Sequence, residues 1–587
     1  MNPRTAGRHL SVLLALAVAV LPAALLPAPA LGDEIRALWA DAFHTGFRTP
    51  TQTAQLVANA RRGNFNTIIV QVRKRGDAYY NSLFEPKAAD VMPASYDPLA
   101  DLIAQAHSGP ERIEIHAWIV TYNIWNSQNG TPVQADHPYR LHPDWLTRRA
   151  DGTTWDGANY GFDPAHPEVQ QFTFDVAMDI ISRYDIDGFH FDYIRYTTSG
   201  ASKNNQPWGY HPVAVERFNA LHGRAGTPPP TDAQWLQFRR DQVTALVRKI
   251  YLHAWAAKPA VRVSAATITF SSPPSGTSET SFATTEAYSR VLQDWRGWMK
   301  EGILDLNIPM NYRNQDTLGS DFLTWRNRAA DMQFDRHGAL GLGIYLNDVE
   351  DGIFQVRAAR APSPAGNRLV GAVGHSYAVT NSEGVSRSVF LDALTSPSAF
   401  DPQPAPVFVA PAAPPAMPWK ADTTLGNFMG TVTDEPGARP ADGATVRVSG
   451  PVTATATTDA TGFFGFVGLP VGIYQIEATP PPCTDLPPTL AEIAVEGATV
   501  TSWEASLTDF PFAVISLKYE PVDGGWEIVW SARPGKRYNV EVSADCLVWT
   551  RLVSNLVAPG DADRMTYRDF TADPNAPLRF YRVTSGD

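Results

Sequence analysis

Asp187-Gly188-Phe189-His190-Phe191-Asp192-Tyr193-Ile194-Arg195-Tyr196 is the stretch on which the reading of the fold turns. It has the make-up of a short buried strand, entered by a turn over residues 185–188 and leaving with a carboxylate at its outgoing end. Side chains alternate along a strand, so Gly188, His190 and Asp192 share one face while Phe189, Phe191 and Tyr193 share the other. A His and an Asp on one face of an otherwise apolar strand are costly unless they are wet, paired or in use. At the carboxyl end of a barrel strand, that pattern reads first as catalytic.

Working outward, short β-branched runs alternate with helical periodicity from residue 33 to about 395. Strands are expected at 35–40, 67–72, 113–120, 186–191, 261–268, 304–309, 340–345 and 370–376. Helices are clearest at 51–62, 98–107, 167–184 and 233–255. Strands alternating with helices in this way indicate an α/β fold, a (β/α)8 TIM barrel with long loops. A doubly wound sheet would want a Gly-rich turn after the first strand, and Trp39-Ala40-Asp41-Ala42-Phe43-His44 has none. The barrel domain is placed at 33–399 and a Pro/Ala-rich linker, read as semi-rigid, at 400–424. Turn signals every eight to twelve residues then mark two small all-β, sandwich-like domains, 425–508 and 509–587.

Residues 1–32 read as a signal peptide. Arg4, Arg8 and His9 precede the apolar run 10–21, and Ala30-Leu31-Gly32 offers small residues for cleavage. That run is too short for a membrane span, so the mature chain is expected to be exported: periplasmic, cell-surface or extracellular. The formal net charge is −12, which argues against nucleic acid as a partner because phosphates require a basic stripe. The only cysteines, Cys483 and Cys546, exclude thiol chemistry and cysteine metal sites from the barrel; a disulfide between them is left open.

Several motifs carry a specific likeness. Glu34-Ile35-Arg36-Ala37-Leu38-Trp39, the run from Phe65 to Arg73, Asp97-Pro98-Leu99 and His116-Ala117-Trp118 occur in order. His142-Pro143-Asp144-Trp145-Leu146, Asp163-Pro164, the 187–196 block and Pro309-Met310-Asn311-Tyr312 follow. Together they resemble the glycosyl-hydrolase-like family 10 barrel, itself distantly similar to the α-amylase clan. The resemblance implies a glycoside hydrolase acting on a polysaccharide, and bacterial cell-wall glycan strands before an α-glucan. Gly430-Thr431-Val432-Thr433-Asp434 and the run from Thr458 to Phe466 resemble the carboxypeptidase-regulatory-like sandwich, a non-catalytic module.

By resemblance Asp192 stands where the clan's strand-four nucleophile stands. Glycoside cleavage passes through an oxocarbenium-like state that a carboxylate stabilises or traps. Arg73, after strand two, is a candidate partner keeping Asp192 ionised. The clan's Arg two residues before the nucleophile is here His190, suited to orienting a sugar hydroxyl. His116, Trp118 and Asn123 belong to strand three and its loop, and His116 has a buried, hydrogen-bonded core role as its alternative. Tyr193, Arg195, Asn311 and Tyr312 follow strand ends and are expected to line the mouth. Trp125, Trp155, Tyr160 and Trp208 on the long loops are more readily packing residues than sugar platforms. Asp163 before Pro164 reads as a structural helix cap.

The proton donor is the gap. Strand five, Ala265-Ala266-Thr267-Ile268-Thr269-Phe270, ends without a carboxylate. Asp294 is the first candidate for acid/base, with Glu286, Asp41 and Asp305 behind it. No HExxH, EF-hand or P-loop motif occurs, so no metal and no cofactor is implied. The rivals to a hydrolase are a non-catalytic glycan-binding barrel, which the missing strand-five carboxylate favours, and a structural surface protein.

Overall fold

A computed structural model describes residues 33–585, apart from 110, 127–129, 198–206, 435–438, 482–487, 508–513, 521–523, 533–534, 545–547, 561 and 572–578. The expected signal segment and both cysteines lie outside the described residues.

The barrel strands are β1 (Ile35–Ala40), β2 (Thr67–Arg73), β3 (Glu114–Val120), β4 (Gly188–Asp192), β5 (Arg262–Ile268), β6 (Leu306–Asn311), β7 (Leu340–Gly343) and β8 (Gly371–His375). Each pairs in parallel with the next, β7 also with β6 and β8 with β1, so the eight-stranded sheet closes. Sequence expectation and structure agree on all eight strands. Runs buried on both faces keep their β-branched character, and that signal survives without alternation. The sixth strand begins at Leu306, two residues later than expected, although the Asp305 amide before it already donates to Val263 O on β5 (2.9 Å).

Alternation in β4 separates two cores. Phe189 and Phe191 face the helices and are fully buried, each contributing about 2–3 kcal/mol of transfer free energy. Trp39, Ile69, Trp118, Ala266, Leu306, Ile308 and Val373 fill the barrel interior. The alternation stops after Asp192. Tyr193 adopts a left-handed backbone (φ 49°), which turns its side chain into the mouth instead of onto the face of Phe189.

Helices α1 (Pro50–Arg62), α2 (Pro98–His107), α3 (Pro167–Arg183), α4 (Pro212–His222) and α5 (Ala233–Ala257) wrap the first half of the sheet. Proline opens four of them at the first turn, where its missing N–H costs nothing. The cap of α3 is His166, not Asp163. Asp163 is structural in another way: it accepts from Ala165 N and Thr147 Oγ1 in the preceding turn. Helices α6 (Trp295–Glu301), α7 (Gln315–Asp331), α8 (Val349–Ala359) and α9 (Arg387–Thr395) complete the shell.

The Pro/Ala-rich stretch is not a free spacer. It straps the amino end of the barrel, where Arg36 donates to Ala410 O, Asn66 to Ala412 O and Arg262 to Pro415 O. Beyond it, one sandwich pairs a three-stranded sheet (Leu425–Thr433, Phe463–Pro470, Val500–Ser506) with a four-stranded one. It docks on α4 and α5 through a two-pronged Arg217–Asp442 ion pair (2.7 and 2.9 Å) and a Lys249–Thr461 bond. Gly465 lets Leu252 approach, since a Cβ there would meet it at 2.3 Å. The last domain is a pair of three-stranded sheets around Ile528, Trp530 and Val540. Among the described residues no helix is long and apolar enough to cross a membrane.

Candidate active site

A cavity of about 540 Å³ opens at the carboxyl ends of the barrel strands. All eight strands or the loops after them contribute to its wall, through Asp41, Gln71, Trp118, Asp192, Ala266, Tyr312, Tyr345 and His375. Catalytic constellations in this fold are built at that end, where loops can vary without disturbing the packed interior.

Asp192 sits at the floor, 6% exposed. Trp118 Nε1 donates to Oδ2 (3.2 Å) and the Tyr193 amide to Oδ1 (2.7 Å). Burial pushes its carboxyl up to about 6, against the Arg195 charge and the two donors, which favour the ionised form. At neutral pH it is therefore mainly a carboxylate, poised close to its titration point.

Asp41 is the other acid in the wall. β1 runs Ile35, Ala37, Trp39 into the interior, and the same period two turns Asp41 inward. Its Oδ1 accepts from the amides of Phe43 (2.9 Å) and His44 (3.0 Å) and from His44 Nδ1 (2.8 Å). Its Oδ2 is buried and has no partner. Among the described residues, Asp41 and Asp192 are the only carboxylates lining the cavity.

Below the floor, Trp39 Nε1 donates to His190 Nε2 (3.1 Å), and His190 Nδ1 faces Ser264 Oγ (2.9 Å). An indole N–H can only donate, so His190 accepts at Nε2 and carries its proton on Nδ1. Burial holds this imidazole neutral, well below its ordinary value. Along the far wall Tyr312 stacks on His375 (5.3 Å between rings), and burial lowers His375 to about 4.

With this geometry in view, the likeness in sequence acquires a physical frame. The profile described as Glycosyl hydrolase-like 10 matches residues 34–355, more than half of the chain. The chain belongs to the glycosyl hydrolase-like 10 family. A carboxypeptidase regulatory-like domain matches 428–502. Glycosyl hydrolase YngK of Bacillus subtilis is 27% identical over 268 residues, 44% of this chain and 48% of that protein. Glycosyl hydrolase DigH of Escherichia coli is 27% identical over 301 residues, 47% of this chain and 62% of its own. The chain thus spans roughly half to three-fifths of these relatives. Among solved structures, an α-L-fucosidase from Paenibacillus thiaminolyticus superposes with a TM-score of 0.40 at 12% identity, covering 61% of this chain and 48% of that one. The glycoside hydrolase domain of PgaB from Bordetella bronchiseptica gives 0.40 at 14%, covering 58% and 94%.

Within the family 10 barrel, the residues singled out from sequence divide sharply. Trp118, Asn123, Asp192, Tyr193, Arg195 and Tyr312 meet in the cavity wall. Arg73 does not. A register shift between Gln71 and Arg73 breaks the inward alternation of β2 and turns the guanidinium onto buried Glu85 (2.7–2.9 Å) and the Thr121 carbonyl (2.9 Å). Arg195, not Arg73, is the cation that Asp192 feels.

His116 is a core residue, bonded to Glu114 (3.1 Å) and pressed against Gly188, where a Cβ would lie 2.4 Å from its ring. His190 lies beneath Trp39 and Trp118, outside the cavity wall, and so positions the floor rather than touching a ligand. Asn311 points the other way from Met310 and donates to Phe322 O on α7 (2.9 Å).

Asp294 caps α6 by accepting from Gly297 N (2.9 Å) and is absent from the cavity wall. Glu286 pairs with Arg290 (2.7 Å) on a short helix. Asp305 lies at the opposite end of the barrel, bonded to Trp419 and Lys420. Of the acid candidates only Asp41 reaches the mouth. None of Trp125, Trp155, Tyr160 and Trp208 lines the cavity. The aromatic rim is instead Phe43, Phe270 and Tyr345, each more than a third exposed. Period two past β1, β5 and the turn after β7 was the available signal.

Proposed function

We propose that the barrel hydrolyses glycosidic bonds of a polysaccharide, with Asp192 as nucleophile or charge stabiliser and Asp41 as proton donor. The observation that carries this reading is the presence of those two carboxylates, and no others among the described residues, in the wall of one mouth cavity. An oxocarbenium-like state needs one carboxylate ionised and one acid able to protonate the leaving oxygen. Both oxygens of Asp192 already receive N–H donors, which suits the ionised role. Asp41 has one oxygen held by three donors and one with none. Asp41 takes the donor role through Oδ2, which is closed off in this structure and must turn into the cavity to reach a leaving oxygen.

Cell-wall glycan is the substrate we favour, on the family resemblance of the motifs. Export is supported by the charged, apolar and small-residue segments of residues 1–32. The glycan-binding rival rests on β5, which ends at Ile268 with no acid after it. Incubating the full chain with purified glycan strands, with an α-glucan in parallel, decides between them. The expected result is release of new reducing ends from the wall glycan by the wild type and none by Asp192→Asn. Co-sedimentation with glycan and no release by the wild type would leave only the binding reading.

A further inference from the structure

We infer that His375, at the end of β8, is a substrate-binding residue whose Nε2–H donates a hydrogen bond to one hydroxyl of the sugar unit seated above Trp39 and Trp118, beside Asp192. The inference rests on the glycoside hydrolase reading of the cavity and adds to it a contact that neither carboxylate makes. The ordinary alternation of a strand brings the side chain there. Val373 packs in the barrel interior. Two residues on, His375 points the same way, at the carboxyl end where the interior opens into the cavity that it lines.

Four rings hold the imidazole in one plane. Tyr312 stacks on it (5.3 Å between centroids, 8° between planes), while Trp39 (6.0 Å), Trp118 (6.5 Å) and Tyr345 (5.8 Å) meet it edge to face. Trp118 is also the indole that donates to Asp192, so a single ring separates His375 from the carboxylate. Nδ1 is buried and has no hydrogen-bond partner. The residue as a whole is only partly buried, and Nε2 is the nitrogen left open to the cavity.

An orphaned buried N–H is rarer in folded proteins than an unmet lone pair, so the proton of the neutral ring belongs on Nε2. Burial keeps the ring neutral, lowering it to about 4, with Asp41 drawing it up and His44 pushing it down by smaller amounts. The cavity therefore meets an uncharged N–H donor of fixed direction. A neutral imidazole releases its remaining proton only in strong base, so this contact orients substrate and leaves the proton transfer to Asp41. The ionised Asp192 can only accept from a sugar hydroxyl. The two indoles of the floor cannot supply a donor, because Trp39 Nε1 is spent on His190 and Trp118 Nε1 on Asp192. His375 supplies it, and the hydroxyl oxygen has the lone pairs to receive it.

The test uses an aryl glycoside of the wall disaccharide and its monodeoxy analogues, each lacking one hydroxyl. The full chain is assayed as wild type, His375→Phe and His375→Gln, with His375→Leu repeating the comparison if the phenyl ring does not fit. Removal of one particular hydroxyl should lower kcat/KM of the wild type about tenfold. The same analogue should cost His375→Phe nothing beyond its own defect, and His375→Gln, which keeps an N–H donor, should regain part of the sensitivity. A residue that merely packs the wall would slow all analogues by one common factor. Equal sensitivity to every deoxygenation in the wild type and the His375 variants overturns the contact. Calorimetric titration of the same series on Asp192→Asn, with and without His375→Phe, reads the contact without turnover. A hydroxyl-specific loss there, with no hydrolysis by the wild type, removes the hydrolase and keeps the contact. Hydrolysis in which substitution and deoxygenation act independently does the reverse.

Discussion

The two ends of the barrel treat a buried aspartate in opposite ways. At the amino end, Asp305 accepts from Val263 N (2.8 Å), Trp419 Nε1 (2.7 Å), Tyr251 OH (3.2 Å) and the Lys420 ammonium (2.8 Å). The Pro/Ala strap closes over it, and Glu34 nearby is paired with Arg36 and Arg360. At the carboxyl end, Asp192 has two N–H donors and no ion pair within hydrogen-bonding distance. Asp41 Oδ2, Gln71 Nε2 and Arg195 Nε are each buried without a partner. Asp305, met by four donors and covered by the strap, serves the fold, whereas Asp41 and Asp192 stand in the wall of an open cavity.

Four outcomes would sharpen or dissolve that contrast. The largest concerns Asp192→Asn, for which reducing-end release should fall on the order of a thousandfold or more with the fold intact. A loss within tenfold would take Asp192 out of the chemistry. Next, Asp305→Ala leaves the Lys420 ammonium buried without its counterion. Chemical denaturation should show a loss of about 3–5 kcal/mol, while the folded fraction retains its turnover. A turnover defect without a stability defect would erase the distinction between the ends.

The third outcome is kinetic. Trp118→Phe removes a donor that favours the ionised Asp192, so its carboxyl moves further up. The acid limb of kcat/KM, expected near pH 6 in the wild type, should shift upward, with about tenfold lower turnover at pH 6. An unmoved limb would mean that another group sets it. The smallest outcome is thermodynamic. The folded-state carboxyl of Asp192 titrates above its unfolded value of 3.8. The stability that its neutral form supplies is therefore complete below pH 4 and is lost as pH rises through about 6. Asp192→Asn should thus be more stable than wild type by up to about 3 kcal/mol at pH 8. That advantage should vanish towards pH 4, and a constant difference across pH would contradict the shift.

What was legible in the chain follows from the same physics. The eight strands were readable because residues buried on both faces must be apolar and β-branched. Asp192 and Trp118 were readable because period two places them inward at strand ends. The same rule, carried one step past β1, brings Asp41 into the mouth, and carried along β6 it excludes Asn311. Arg73 was not readable. A single register shift in β2 reverses its direction, and no local residue pattern announces the shift. Asp294 failed for a different reason: a carboxylate at a helix start satisfies backbone amides, and that local role outcompetes a distant site. The strap was hidden because proline-rich composition reports stiffness, not what the carbonyls bond to.

The proposed division of labour between Asp192 and Asp41 can be read from the rates of Asp41→Asn and Asp192→Asn on two substrates. One is the wall glycan, and the other is an aryl glycoside of its disaccharide whose phenolate departs without protonation. Asp41→Asn should lose about a hundredfold or more on the glycan and recover most of that loss on the aryl glycoside. Asp192→Asn should fail on both. Equal impairment of Asp41→Asn on the two substrates would contradict its role as the proton donor.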